Sequence, residues 1–141
     1  MLHDGFKITG KVCIRINDAI VHEVDNLVVT TGKNFVASRM KDTTDDSMTH
    51  MAIGTSSTAA AAGDTALGTE SARVSLTSTT VTAADIDYVA TFPAGTGTGS
   101  LTEAAVLNAA SSGTMLCRTV FSVVNKGASD AMTITWTVSV S

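Results

Sequence analysis

Residues 131–141 read AMTITWTVSVS and alternate apolar and hydroxyl side chains without a break. Met132, Ile134, Trp136, Val138 and Val140 fall on one side of a period of two, and Thr133, Thr135, Thr137, Ser139 and Ser141 on the other. That is the period of a β-strand, so the segment predicts a strand with one core face and one small, polar, uncharged face. A helix would scatter the same residues around its axis, so the pattern commits this part of the chain to a sheet.

The rest of the sequence repeats the theme. Phe6, Ile8, Val12, Ile14 and Ile16 alternate with Lys7, Thr9, Lys11, Arg15 and Asn17 in a first strand. Asn17-Asp18 offers a tight turn into a second strand, read as Ala19 to Thr30, so a hairpin is expected. Thr31 to Asn34 breaks the alternation, and Phe35, Val36, Arg39 and Met40 fall at helical spacing with Thr31 or Gly32 near the N-cap. One short helix is expected around residues 32–42. Strands then follow at Met48–Thr55, Arg73–Thr82, Ile86–Phe92, Leu101–Asn108, Met115–Val124 and Met132–Val140.

About eight strands separated by turn signals predict an all-β chain, an antiparallel β-sandwich or jelly roll. With 141 residues and no linker or internal repeat, residues 1–141 are read as one domain. Ile14, Phe92, Phe121, Trp136 and Val138 are the expected core. The segment from Ser56 to Gly68, rich in Ala, Gly, Ser and Thr, cannot fold by itself; it must lie over the body or touch a neighbour.

Composition limits function more than it defines it. Ser and Thr supply 37 residues, charged residues only 16%, and the net charge is −4. So sparse a charge suggests that much surface faces other protein, with solvated Thr-rich faces as the plain alternative. Nine scattered basic residues argue against a nucleic-acid partner, which needs clustered Lys and Arg. No membrane partner is expected, because no apolar run approaches spanning length and the first ten residues have no apolar signal core. Synthesis in a cytoplasm is the corresponding expectation.

The candidate chemical motifs are weak. Gly95, Gly97 and Gly99 lack the third spaced glycine and the following helix of a dinucleotide loop. Asp42, Asp45 and Asp46 lack the glycine and distal glutamate of a calcium loop. Asp85 and Asp87 share a strand face, but the face opposite the apolar one. His3, His22 and His50 fit no metal spacing, and Cys13 and Cys117 read as free buried thiols, although sequence leaves a disulfide open. No nucleophile elbow is present. No enzyme, cofactor or metal is expected. Glu70 and Arg73 are expected to pair with each other or with a neighbouring subunit. Glu103 lies in an otherwise apolar strand and needs a partner if buried; Arg118, in a strand just as apolar, is the expected one.

Several segments taken together resemble a known class. Asn26-Leu-Val-Val-Thr-Thr-Gly-Lys33, Ile53-Gly-Thr55, Ala62-Gly-Asp-Thr-Ala-Leu-Gly-Thr-Glu70 with Arg73, Leu101-Thr-Glu-Ala-Ala105 with Asn108, Met115-Leu-Cys-Arg118, Phe121, Lys126 and Thr133-Ile-Thr-Trp-Thr137 are similar to segments of small virion structural proteins of tailed bacteriophages. Ala105 departs from the glycine usual there. The resemblance implies a capsid decoration (cement) protein, often a homotrimeric sandwich or jelly roll seated on the major capsid protein at the head surface. A tail, baseplate or fibre-attachment component is the alternative, and a carbohydrate-binding sandwich, which wants exposed aromatics, is third. Thr55, Leu67 and Glu70 in the loop at 55–70, Arg73 just after it, and Gly97 and Thr98 in the loop at 94–100 are the expected subunit or capsid contacts.

Overall fold

The computed structural model describes residues 7–41 and 45–141. Phe6, His3 and Asp42, which entered the readings above, lie outside the described residues. In chain order the elements are β1 (Ile8–Ile16), β2 (Ala19–Asp25), β3 (Leu27–Val28), α1 (Thr30–Arg39), β4 (His50–Gly54), β5 (Glu70–Ser75), β6 (Ser78–Thr82), β7 (Asp85–Phe92), β8 (Gly99–Leu107), β9 (Met115–Lys126) and β10 (Met132–Val140).

They form two five-stranded antiparallel sheets, ordered β2-β1-β10-β7-β6 and β3-β9-β8-β4-β5. The all-β sandwich expected from the alternation is therefore what the chain adopts. β10 sits at the centre of the first sheet, between β1 and β7, with Trp136 opposite Val12 on one side and Tyr88 on the other. Ile14, Phe92, Trp136 and Val138 are buried between the sheets together with Phe121. Asn17 and Asp18 both take positive φ, 48° and 70°, the primed turn that matches the twist of a two-residue hairpin.

Three boundaries differ from the sequence reading. The second strand ends at Asp25; Leu27–Val28 then crosses to the other sheet and pairs with Arg118 and Cys117. The segment read as one strand from Arg73 to Thr82 is two, β5 and β6, in different sheets. Its inward residues switch parity, from Ala72, Val74 and Leu76 packed against the core to Thr79 and Val81 on the core-facing side of β6. A strand that changes sheets has to rotate its faces, and that parity switch marks the place.

The helix starts two residues earlier than expected. Val29 occupies the N-cap with no side-chain cap, and the Thr31 hydroxyl instead donates to the Met115 carbonyl at 2.9 Å. What fixes α1 is its seat on β9. A Cβ on Gly32 would lie 2.0 Å from the Leu116 carbonyl oxygen, so only glycine allows this approach.

The two sheets are covered unequally. On the outer face of the first, the Thr and Ser row of β10 stays half-exposed; Thr137 donates to Asp87 at 2.6 Å, and the hydroxyls of Thr91 and Thr133 meet at 3.1 Å. In the second, β8 is buried from Leu101 to Leu107, both faces alike. Its outer face carries a second apolar layer of Val29, Ala52, Leu67, Ala105, Leu107 and Met115. Residues 55–69, between β4 and β5, contribute Leu67 to this layer.

Candidate functional site

Glu103 and Arg118 stand on neighbouring strands β8 and β9, both buried, and Arg118 donates to Glu103 Oε1 through Nη2 at 2.9 Å and Nε at 3.3 Å. The pairing expected from two apolar strands, each with one charge, is thus what the side chains make. Its surroundings give it a purpose that sequence did not show. Glu103 Oε1 also accepts the Gly68 N–H at 2.8 Å, and Oε2 accepts the N–H groups of Ser56 and Thr69 at 3.0 and 2.8 Å. Arg118 donates on to Asp64 Oδ2 at 2.9 Å and to the Thr58 carbonyl at 3.0 Å.

One buried ion pair therefore grips both ends and the middle of the 55–69 loop. The loop base is closed by Thr55 N–H donating to the Thr69 carbonyl at 3.0 Å, and Thr102 donates to the Ser56 carbonyl at 2.8 Å. Gly54 makes room for the arrangement: a Cβ there would stand 2.2 Å from the Thr69 carbonyl oxygen and 2.5 Å from Glu103 Oε2. Burial alone would raise the Glu103 carboxyl. The N–H groups of Thr69 and Ser56, the Arg118 guanidinium and the Gly68 N–H outweigh it and hold the carboxyl below the ordinary glutamate value.

The outward side of this loop has a distinctive chemistry. Ser57, Thr58, Ala59, Ala61, Ala62, Gly63, Thr65 and Ala66 are exposed, and the only charged side chain between residues 55 and 69, Asp64, is bound to Arg118 and to the Ala61 N–H. The result is an immobilised, uncharged surface of small side chains. Such a surface loses little side-chain entropy when another protein covers it.

The expected contact residues separate into two groups. Thr55, Glu70 and Thr98 are exposed. Leu67 is a correction: only 8% exposed, it packs in the second apolar layer and is not available to a neighbour. Arg73 is committed within its own chain, through Glu70 at 2.7 Å and the carbonyls of Ala109 and Ser112 at 2.9 Å each. Gly97 is half-buried with φ of +68°, and a Cβ there would stand 2.5 Å from Ile53 Cδ1, so it supports its loop more than it presents a surface. The Lys126 ammonium is buried and donates to the Pro93 carbonyl at 2.9 Å, which ties the same loop to β9.

Other candidate chemistry is dispersed. Cys13 on β1 and Cys117 on β9 lie in different sheets as free thiols, and burial pushes the Cys117 thiol up. Among the described residues, no three His, Cys, Asp or Glu side chains stand close enough to share a metal ion. The Ser75 hydroxyl lies 3.4 Å from His50 Nε2, but Nδ1 is met by the Thr49 hydroxyl rather than a carboxylate. All five described aromatic residues, Phe35, Tyr88, Phe92, Phe121 and Trp136, are buried, so none of them offers an exposed stacking face. No described helix is long and apolar enough to cross a membrane.

What sequence reasoning missed was the layer over β8 and the three backbone donors to Glu103. A signal was present: the paired glycines of Gly63-Asp-Thr-Ala-Leu-Gly68 frame one acid and one leucine, the two side chains that turn inward. Comparison with protein-family models, curated proteins and solved structures finds no match to this chain.

Proposed function

We propose that this chain is a non-enzymatic virion structural protein of a tailed bacteriophage, acting as a head decoration protein that binds the assembled shell through a preformed surface. The observation that carries the reading is the use made of its buried charge. Glu103 and Arg118 together make five hydrogen bonds to residues 56–69, three from N–H donors to Glu103 and two from Arg118 to one carbonyl and one carboxylate, and Thr102 beside them adds a sixth. Burying an ion pair is a poor way to gain stability, and fixing a defined arrangement is its better-attested use. Here the thing fixed is an uncharged loop.

The segments that resemble phage virion proteins supply this staple: Ile53-Gly-Thr55, the stretch from Ala62 to Glu70, Leu101 to Ala105, and Met115 to Arg118. Decoration of a lattice uses many copies at once, so modest affinity per copy suffices. Binding the assembled shell and not its free subunits stabilises the shell by mass action. The partners are the major capsid protein and further copies of this chain at the head surface.

Quantitative protein counting on purified virions tests the location. A copy number in step with the head lattice supports decoration. A number in step with tail or fibre symmetry moves the protein to the tail, the alternative the same fold would serve. Absence from virions refutes the reading altogether.

A further inference from the structure

Among the described residues each sheet of the sandwich ends in two edge strands, and they are not alike. β2 carries Glu23 and Asp25, β5 carries Glu70 and Arg73, and β3 is two residues long. Charges and brevity are the ordinary protection against edge-to-edge pairing. β6 lacks both. All five of its residues, Ser78-Thr-Thr-Val-Thr82, are exposed, and residues 76–84 contain no charged side chain and no proline. Val81 is 68% exposed, a large apolar side chain in an otherwise hydroxylic strand.

Val81 is also placed with a purpose. Thr79 pairs with Tyr88 and Val81 with Ile86, so both β6 side chains face the sandwich interior. There they line the rim of a largely apolar groove of about 420 Å³ at the mouth between the sheets, beside Phe35, Ile86 and Val138, with Arg39 the one charged side chain among its described lining.

We propose that β6 pairs antiparallel with β6 of a second copy of this chain, about a two-fold axis at Thr80, joining the two outer sheets into one of ten strands. An isologous contact sets the residue on the axis against its own image and every other residue against its mirror position, so a charge on the axis would meet a like charge. β6 is the described edge of useful length that carries no charge at any position. With Thr80 on the axis, Thr79 of one copy stands opposite Val81 of the other, on the same face of the joined sheet. The two grooves then meet across the axis, and each Val81 is covered at the rim of the opposing groove. Pairing also satisfies the alternate N–H and C=O groups that an edge strand leaves unmade. This two-fold pair differs from the trimer that the family resemblance implies, and it stands or falls independently of the virion reading.

Two measurements test it. Light scattering over a concentration series should give twice the 14.4 kDa chain mass at high concentration, and once that mass for Val81→Lys and for Thr79→Lys. Both positions are exposed, and circular dichroism melting at a dilution where the wild type is monomeric, unchanged in the two variants, verifies that only association is lost. Thr80→Cys in a Cys13→Ser background should cross-link to a covalent dimer under mild oxidation, because opposed residues on antiparallel strands lie about 4.5–5.5 Å apart at Cα, within disulfide reach. A monomer throughout, a trimer, a dimer that survives either lysine, or a Thr80→Cys protein that does not cross-link would overturn the proposal.

Discussion

Replacing Glu103 by Gln keeps the size of the side chain and removes its charge, and the structure dictates an unusual cost. Oε1 receives three donors, from Gly68 and twice from Arg118, while Oε2 receives two, from Ser56 and Thr69. A glutamine has one oxygen and one NH₂. Whichever way the amide turns, its NH₂ faces at least two N–H groups at a buried site. Hydrogen bonds to charged groups are worth roughly 1.5–3 kcal/mol each, so losing two of them predicts a cost of about 3–6 kcal/mol. For a chain of this length that corresponds to a fall in Tm on the order of 10–15 °C.

Arg118→Met should cost less than Glu103→Gln, because Glu103 keeps its three backbone donors when the guanidinium is gone. The double variant should cost clearly less than the sum, since both single changes break the same bonds. Urea unfolding of the three variants, with hydrogen exchange at the Gly68 and Thr69 amides, measures this. Additive losses, or a Glu103→Gln cost below about 1 kcal/mol, would refute the staple as the element that fixes the loop.

The Glu103 carboxyl is lowered in the folded chain, so its contribution is fully present above the ordinary value of 4.5 and is lost as the pH falls from there through the lower folded value. Acid titration of stability should therefore show a decline below that point that is absent in Glu103→Gln; identical profiles would contradict it. Gly32→Ala gains about 1 kcal/mol of helix propensity but forces a Cβ 2.0 Å from the Leu116 carbonyl oxygen, so overpacking should win and leave the variant less stable by about 1–2 kcal/mol in urea. Ala83 holds a left-handed φ of 52° in the β6–β7 turn, and Ala83→Gly should raise stability by up to about 1 kcal/mol, read from the same unfolding midpoint; a lowered midpoint would contradict the strain.

The sheet architecture was legible where alternation is undiluted. β10 and β1 declare themselves because each residue has one obvious side, and the Asn17-Asp18 turn has the chemistry its positive φ values require. The helix start was not legible, since its N-cap is Val29 and the tie that holds it runs to β9, far away in sequence. The β5–β6 break was misread because Leu76-Thr77-Ser78 contains neither Gly nor Pro; the parity of the apolar residues was the informative quantity there. For the candidate site, one acid and one base in apolar strands gave the Glu103–Arg118 pair. The loop they hold is bound through backbone N–H groups, which every residue has and no sequence pattern displays. Leu67 was placed outside for the same reason: nothing local tells that a loop leucine covers the far face of a sheet.

The central claim is that the stapled 55–69 loop presents this chain to an assembled shell. The direct measurement is co-sedimentation of the purified protein with heads, stripped of this protein, of the phage to which the proposal assigns it, for the wild type and for Ala61→Lys, an exposed change on the loop's uncharged side that leaves Glu103 and Arg118 in place. The account predicts saturable binding of the wild type at a fixed number per head, no binding to free capsid subunits, and loss of binding in Ala61→Lys with its melting unchanged. Failure of the wild type to bind heads, or equal binding by Ala61→Lys, would contradict it.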